Sequence, residues 1–162
     1  YRLAPTRAYQ QFVFETATQT LTSPPRPWVI GGHSRGGKLA AVFASEHPNQ
    51  IAGLALIGTT HPRDHDLSAL PRCVPVVKIS GTHDGIAPAE AMDESRHNLP
   101  PHTAYVAIEG GNHTQFGHYR YQLLDRRPAI DRETQQRQLV EALLMVLRPQ
   151  DAGGRAPACP GR

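Results

Sequence analysis

An apolar run, Trp28-Val29-Ile30, passes through Gly31 into Gly32-His33-Ser34-Arg35-Gly36, and a helical stretch over residues 35–46 follows at once. This junction constrains the fold more than any other feature of the chain. The apolar run reads as a short buried strand, set off by the breaker Ser23-Pro24-Pro25-Arg26-Pro27 before it. Strand, glycine turn and helix, with no residues to spare, is the layout of a G-x-S-x-G elbow. Its strained turn lifts the serine hydroxyl above the end of the sheet. Small residues at positions 32 and 36 are expected to let the backbone close. The helix start beneath Ser34 offers unpaired N–H groups and the positive end of the helix dipole.

The rest of the chain repeats the alternation. Ile51–Ile57, Pro75–Ile79 and Thr103–Ile108 read as further strands, mostly continuous in apolar character. Helices are expected over residues 7–21, with Ala8, Phe12, Ala17 and Leu21 as the apolar stripe, and over Ala87–Asn98. A last helix starts at an Asp131 cap and runs to about Leu147, with Val140, Leu143, Leu144 and Leu147 turned to the sheet. The fold class is therefore α/β, a mostly parallel sheet flanked by helices. Residues 58–74 read as loop, too short for a lid domain. Residues 149–162, rich in Gly, Pro and Ala, read as a disordered tail.

Composition narrows the function classes. A length of 162 residues and 39% hydrophobic content suit one globular domain. No apolar run approaches the roughly 18 residues of a transmembrane segment. Of 17 basic residues 15 are Arg, but they are interspersed with 14 acids, as in Asp125, Arg126, Arg127, Asp131, Arg132 and Glu133. This pattern reads as solvated surface and not as a nucleic-acid interface. His61 and His65, beside Asp64 and Asp66, lack a metal-site context because Pro62 interrupts them, and they read as loop histidines. Cys73 and Cys159 have no metal or redox spacing and are expected to stay unpaired.

A serine hydroxyl is a weak nucleophile and needs a base and an orienting acid. In this layout they follow Ser in the order acid, then His, each beyond a later strand. The third strand runs out into Ser80-Gly81-Thr82-His83-Asp84-Gly85, which puts Asp84 just past the sheet edge; Glu90 and Asp93 are the rivals. The fourth runs out into Glu109-Gly110-Gly111-Asn112-His113, where two glycines permit a sharp turn that presents His113; His118 is the rival. His33 adjoins Ser34 and is expected to point away from its hydroxyl.

The stretch Gly110-Gly111-Asn112-His113-Thr114-Gln115-Phe116-Gly117 resembles the G-G-N-H-x-Q-F-G segment of one α/β-hydrolase subgroup. The resemblance extends over about residues 1–148 and implies a Ser34–His113–Asp84 triad, with the Arg35 backbone N–H as one oxyanion donor. Arg35 departs from the apolar residue more usual there. The resemblance further implies about eight strands, a second oxyanion N–H from a loop before Tyr1, and hence a hydrolase core lacking its N-terminal strands.

The function expected is hydrolysis of carboxylic esters or related acyl compounds, with a small-molecule substrate and no metal or organic cofactor. Alternatives are a catalytically silent fragment or binding module, and an acyltransferase using the same three residues. No nucleic-acid partner and no transmembrane segment are expected. The compartment and oligomeric state are left open, with the cytoplasm as the working expectation.

Overall fold

The computed structural model describes residues 8, 11, 12, 15, 16, 19 and 27–147. Four strands form one sheet in the order β1 (Trp28–His33), β2 (Ile51–Ile57), β3 (Val76–Gly81), β4 (Ala104–Ile108), every pair parallel. Helix α1 spans Arg35–Glu46, α2 spans Ala89–Asp93 and α3 spans Arg132–Leu147. This is the expected α/β architecture.

Side chains alternate across a strand, so a sheet covered on both faces shows apolar residues at every position. In β2, Leu54 and Leu56 face α1 and join Ala40, Ala41, Phe43 and Ala44 in one core cluster. Ala55 and Ile57 face the opposite way, onto Leu139, Ala142 and Val146 of α3. Full burial of each such leucine or isoleucine contributes on the order of 1.5–3 kcal/mol.

Several expectations need correction. In α3 the buried residues are Gln135, Leu139, Ala142 and Val146, whereas Val140 and Leu147 are each 55% exposed. Apolar residues occupy two faces of this helix: of the expected stripe Leu143 packs, partly buried, against the sheet-side core, while Val140 and Leu147 lie on the outer face. The Asp131 cap is present, its Oδ1 accepting the Thr134 N–H at 2.7 Å. The helix expected over 87–98 stops at Asp93 and resumes as a single 3₁₀ turn, Arg96–Asn98. Ser95 lies between, its hydroxyl donating to the Met92 carbonyl, a local bond that competes with continued helix. Ala8 and Phe12 are helical but exposed; Ala17 and Leu21 lie outside the described residues, as do residues 149–162. Cys73 is disulfide-bonded, against expectation, because spacing along a chain carries no information on which thiols meet in space. Its only possible partner within the sequence, Cys159, lies outside the described residues.

Candidate active site

Parallel strands bring their carboxyl ends to one edge, where ligands of open α/β sheets bind. Ser34, Asp84 and His113 each follow such an end, those of β1, β3 and β4.

Ser34 joins β1 directly to α1. Its φ of 56° and ψ of −116° lie outside the regions ordinary residues adopt, and it is the non-glycine residue with positive φ among the described residues. Such a conformation costs on the order of 1–3 kcal/mol and persists only where its surroundings enforce it. Here the Ser34 N–H donates to the Ile57 carbonyl at 2.9 Å, fixing the turn to β2. A Cβ on Gly32 would lie 2.2 Å from the Gly36 carbonyl carbon, so position 32 admits only glycine. Position 36 differs from expectation: a Cβ there meets nothing within 4 Å. The glycine under pressure is Gly37, whose Cβ would lie 2.7 Å from Thr59 Cγ2.

Asp84 and His113 are buried and joined, His113 Nδ1 to Asp84 Oδ2 at 2.8 Å. The other oxygen of Asp84 accepts the backbone N–H groups of Ile86 and Ala87 at 2.8 and 2.6 Å. With Nδ1–H donating to the carboxylate, a neutral His113 ring carries its lone pair on Nε2. The rivals are placed differently: Glu90, Asp93 and His118 are all exposed, and Asp93 pairs with Arg96.

The turn carrying His113 is built by residues that sequence reasoning passed over. Asp125, read there as part of a solvated surface, is only 5% exposed. Its Oδ1 accepts the N–H groups of Gly85, His113 and Arg126, and its Oδ2 accepts the N–H and hydroxyl of Thr114. One carboxylate thus ties the Asp84 loop to the His113 loop. These hydrogen bonds outweigh the effect of burial and hold the Asp125 pKa below its ordinary value. Gln135 of α3 is fully buried and brackets Asn112, accepting its N–H at 3.0 Å and donating to its carbonyl at 2.7 Å. Gly110 has a φ of 72°, the left-handed conformation the turn requires.

His33 takes part in the packing around the candidate base. Its ring is packed against the His113 ring, centroids 4.3 Å apart, with Phe116 and Tyr119 each at 5.5 Å. Burial first, and the neighbouring His113 second, lower its pKa to about 4. The elbow histidine is therefore a neutral packing element.

Beside Ser34 opens a cleft of about 270 Å³, bounded by the start of α1, the loop after β2 and the residues after Asp84. Among the described residues no group of three or more His, Cys, Asp or Glu is arranged to hold a metal ion. Nor is any helix long and apolar enough to cross a membrane.

Solved structures share this fold. MGS-MChE2, an alpha/beta hydrolase enzyme from a lagoon-sediment metagenome of Mar Chica, Morocco, is similar at a TM-score of 0.59 and 15% identity, over 89% of this chain and 73% of its own. A CIB-like hydrolase predicted in Thermoplasma acidophilum follows at a TM-score of 0.57 and 17% identity, over 83% and 57%. SOBER1 from Arabidopsis thaliana gives 0.52 and 15%, over 88% and 62%. The chain thus spans less than two thirds of the length of the latter two. No curated protein matches it. The sequence model of the alpha/beta hydrolase family matches residues 11–137, well over half of the chain, and the protein belongs to that family.

Proposed function

We propose that the protein is a serine hydrolase of carboxylic esters or related acyl compounds, acting through Ser34, His113 and Asp84. The observation that carries this reading is the buried 2.8 Å bond from His113 Nδ1 to Asp84 Oδ2, at the sheet edge where Ser34 holds a strained turn. In the proposed reaction Ser34 Oγ attacks the ester carbonyl while His113 Nε2 takes its proton. The same nitrogen returns the proton to the leaving alkoxide, and an acyl-Ser34 ester remains. Water, deprotonated by His113, then releases the acid and restores Ser34. Asp84 stays ionised, holds the ring by Nδ1 and stabilises the imidazolium. The Arg35 N–H, first in α1 and without an acceptor in its own helix, is one donor to the oxyanion.

Hydrolysis of a short activated ester tests the reading. Ser34→Ala is expected to lower kcat/KM by about 10³ or more with an unchanged circular-dichroism spectrum. An acyltransferase would show itself by product partitioning towards added alcohol. A silent binding module would give no hydrolysis above the Ser34→Ala level.

A further inference from the structure

The cleft beside Ser34 is one-sided in charge. Arg35 and Lys38 stand one helical turn apart at the start of α1, and Arg63 approaches from the loop after β2. Thr59, Thr60 and His61 complete the polar lining, and among the described residues no aspartate or glutamate lines the cleft. Neither arginine nor Lys38 forms an ion pair with a described carboxylate. The positive charges of Lys38 and Arg63 both act on His61 and, after burial, help hold its pKa below the ordinary value; Asp64 opposes them. Three cations around so small a cleft repel one another unless an anion is seated among them.

We propose that the cleft selects acyl substrates bearing a second, anionic oxyacid group, a carboxylate or a phosphate, seated on Arg35, Lys38 and Arg63 beside Ser34. The inference rests on the serine-hydrolase reading and adds the substrate class to it. Guanidinium groups take either oxyacid through paired N–H donors, and Lys38 adds a point charge. Arg35 then has two separable roles, its N–H towards the oxyanion and its side chain towards the remote anion. Ile86 and Ala87 form an apolar side of the cleft against which the linking carbons fit.

The test compares the 4-nitrophenyl monoester of glutarate with its methyl-capped, neutral counterpart. The expected ratio of kcat/KM favours the anionic ester by about tenfold, and falls as salt is raised from about 0.01 M to about 0.5 M. Lys38→Gln and Arg63→Gln, both at exposed positions, each reduce that ratio at least about threefold. Binding is read without turnover from amide shifts at residues 35–38 and 59–63. Glutarate and glycerol 3-phosphate are the two anions, and neutral glutaramide is the control. The tighter anion identifies the oxyacid, and no shift with glutaramide is expected. Equal cleavage of both esters, with no anion-induced shifts, overturns the proposal and leaves the hydrolase reading standing. Cleavage of neither ester, with anion binding intact, overturns the hydrolase reading and keeps the anion seat. Cleavage of neither and binding of neither overturns both. A preference that survives both substitutions unchanged overturns the assignment to these side chains.

Discussion

The His33 ring lies 4.3 Å, centroid to centroid, from the His113 ring, so the residue before Ser34 touches the candidate base. This contact requires a neutral His33, whose pKa is lowered to about 4 by burial, then by His113, against an opposing pull from Asp125. Between pH 6.5 and about 4 the unfolded chain binds the extra proton and the folded chain does not, so stability falls as pH falls. The loss amounts to at most about 3 kcal/mol. Chemical denaturation of wild type and His33→Phe across that window is expected to show a shallower decline in the variant. Parallel declines would contradict the assignment.

Asp125 should be as sensitive as a residue of the site itself. Asp125→Asn puts an amide donor among five donors and is expected to cost about 3 kcal/mol. At temperatures where the variant remains folded, ester hydrolysis should still fall at least about tenfold, because the His113 turn loses its anchor. Full activity in a folded Asp125→Asn protein would show that Gln135 and Asn112 position His113 without it.

The glycines of the elbow should separate by geometry. Gly32→Ala drives a Cβ into the Gly36 backbone and is expected to prevent stable folding or cost more than about 4 kcal/mol. Gly36→Ala enters open space inside a helix and is expected to stabilise by up to about 1 kcal/mol. Melting temperatures of the two variants decide the matter, and a matched loss in both would contradict it.

Lys78 is buried in β3 and donates to the His61 carbonyl at 2.8 Å and the Ser95 hydroxyl at 3.0 Å. Burial lowers its pKa to about 8, with Asp93 opposing and Arg63 and Arg96 adding to the shift. Between pH 8 and 10.5 the unfolded chain holds more protons, so this group makes stability rise with pH, by at most about 3 kcal/mol. Lys78→Met removes that rise. A difference between wild type and variant that stays flat across the window would show that Lys78 keeps its charge when folded.

The parts of the fold that were legible are those carried by local pattern. Ile51–Ile57 is a strand at the expected bounds because a fully buried parallel strand is apolar throughout. Residues 35–46 form a helix at the expected bounds because the glycine turn and Pro48 confine it. That Asp84 and His113 meet follows from their each standing a few residues past a parallel strand end. Asp125 and Gln135 escaped because most of what they bind is backbone N–H and C=O, which any sequence supplies. The face of α3 escaped because its surplus of apolar residues fits two stripes, and only contact with Ala55 and Ile57 selects one. Lys78 escaped because a lone charge in an apolar strand gives no sign that a loop carbonyl and Ser95 await it.

The central claim is that Ser34 is an activated nucleophile. Peptide mapping by mass spectrometry after treatment with a fluorophosphonate reads this directly. The account predicts one covalent adduct, on Ser34, absent from Ser34→Ala and formed about a hundredfold or more slowly in His113→Gln. A folded protein left unlabelled at Ser34, or labelled equally fast without His113, would contradict it.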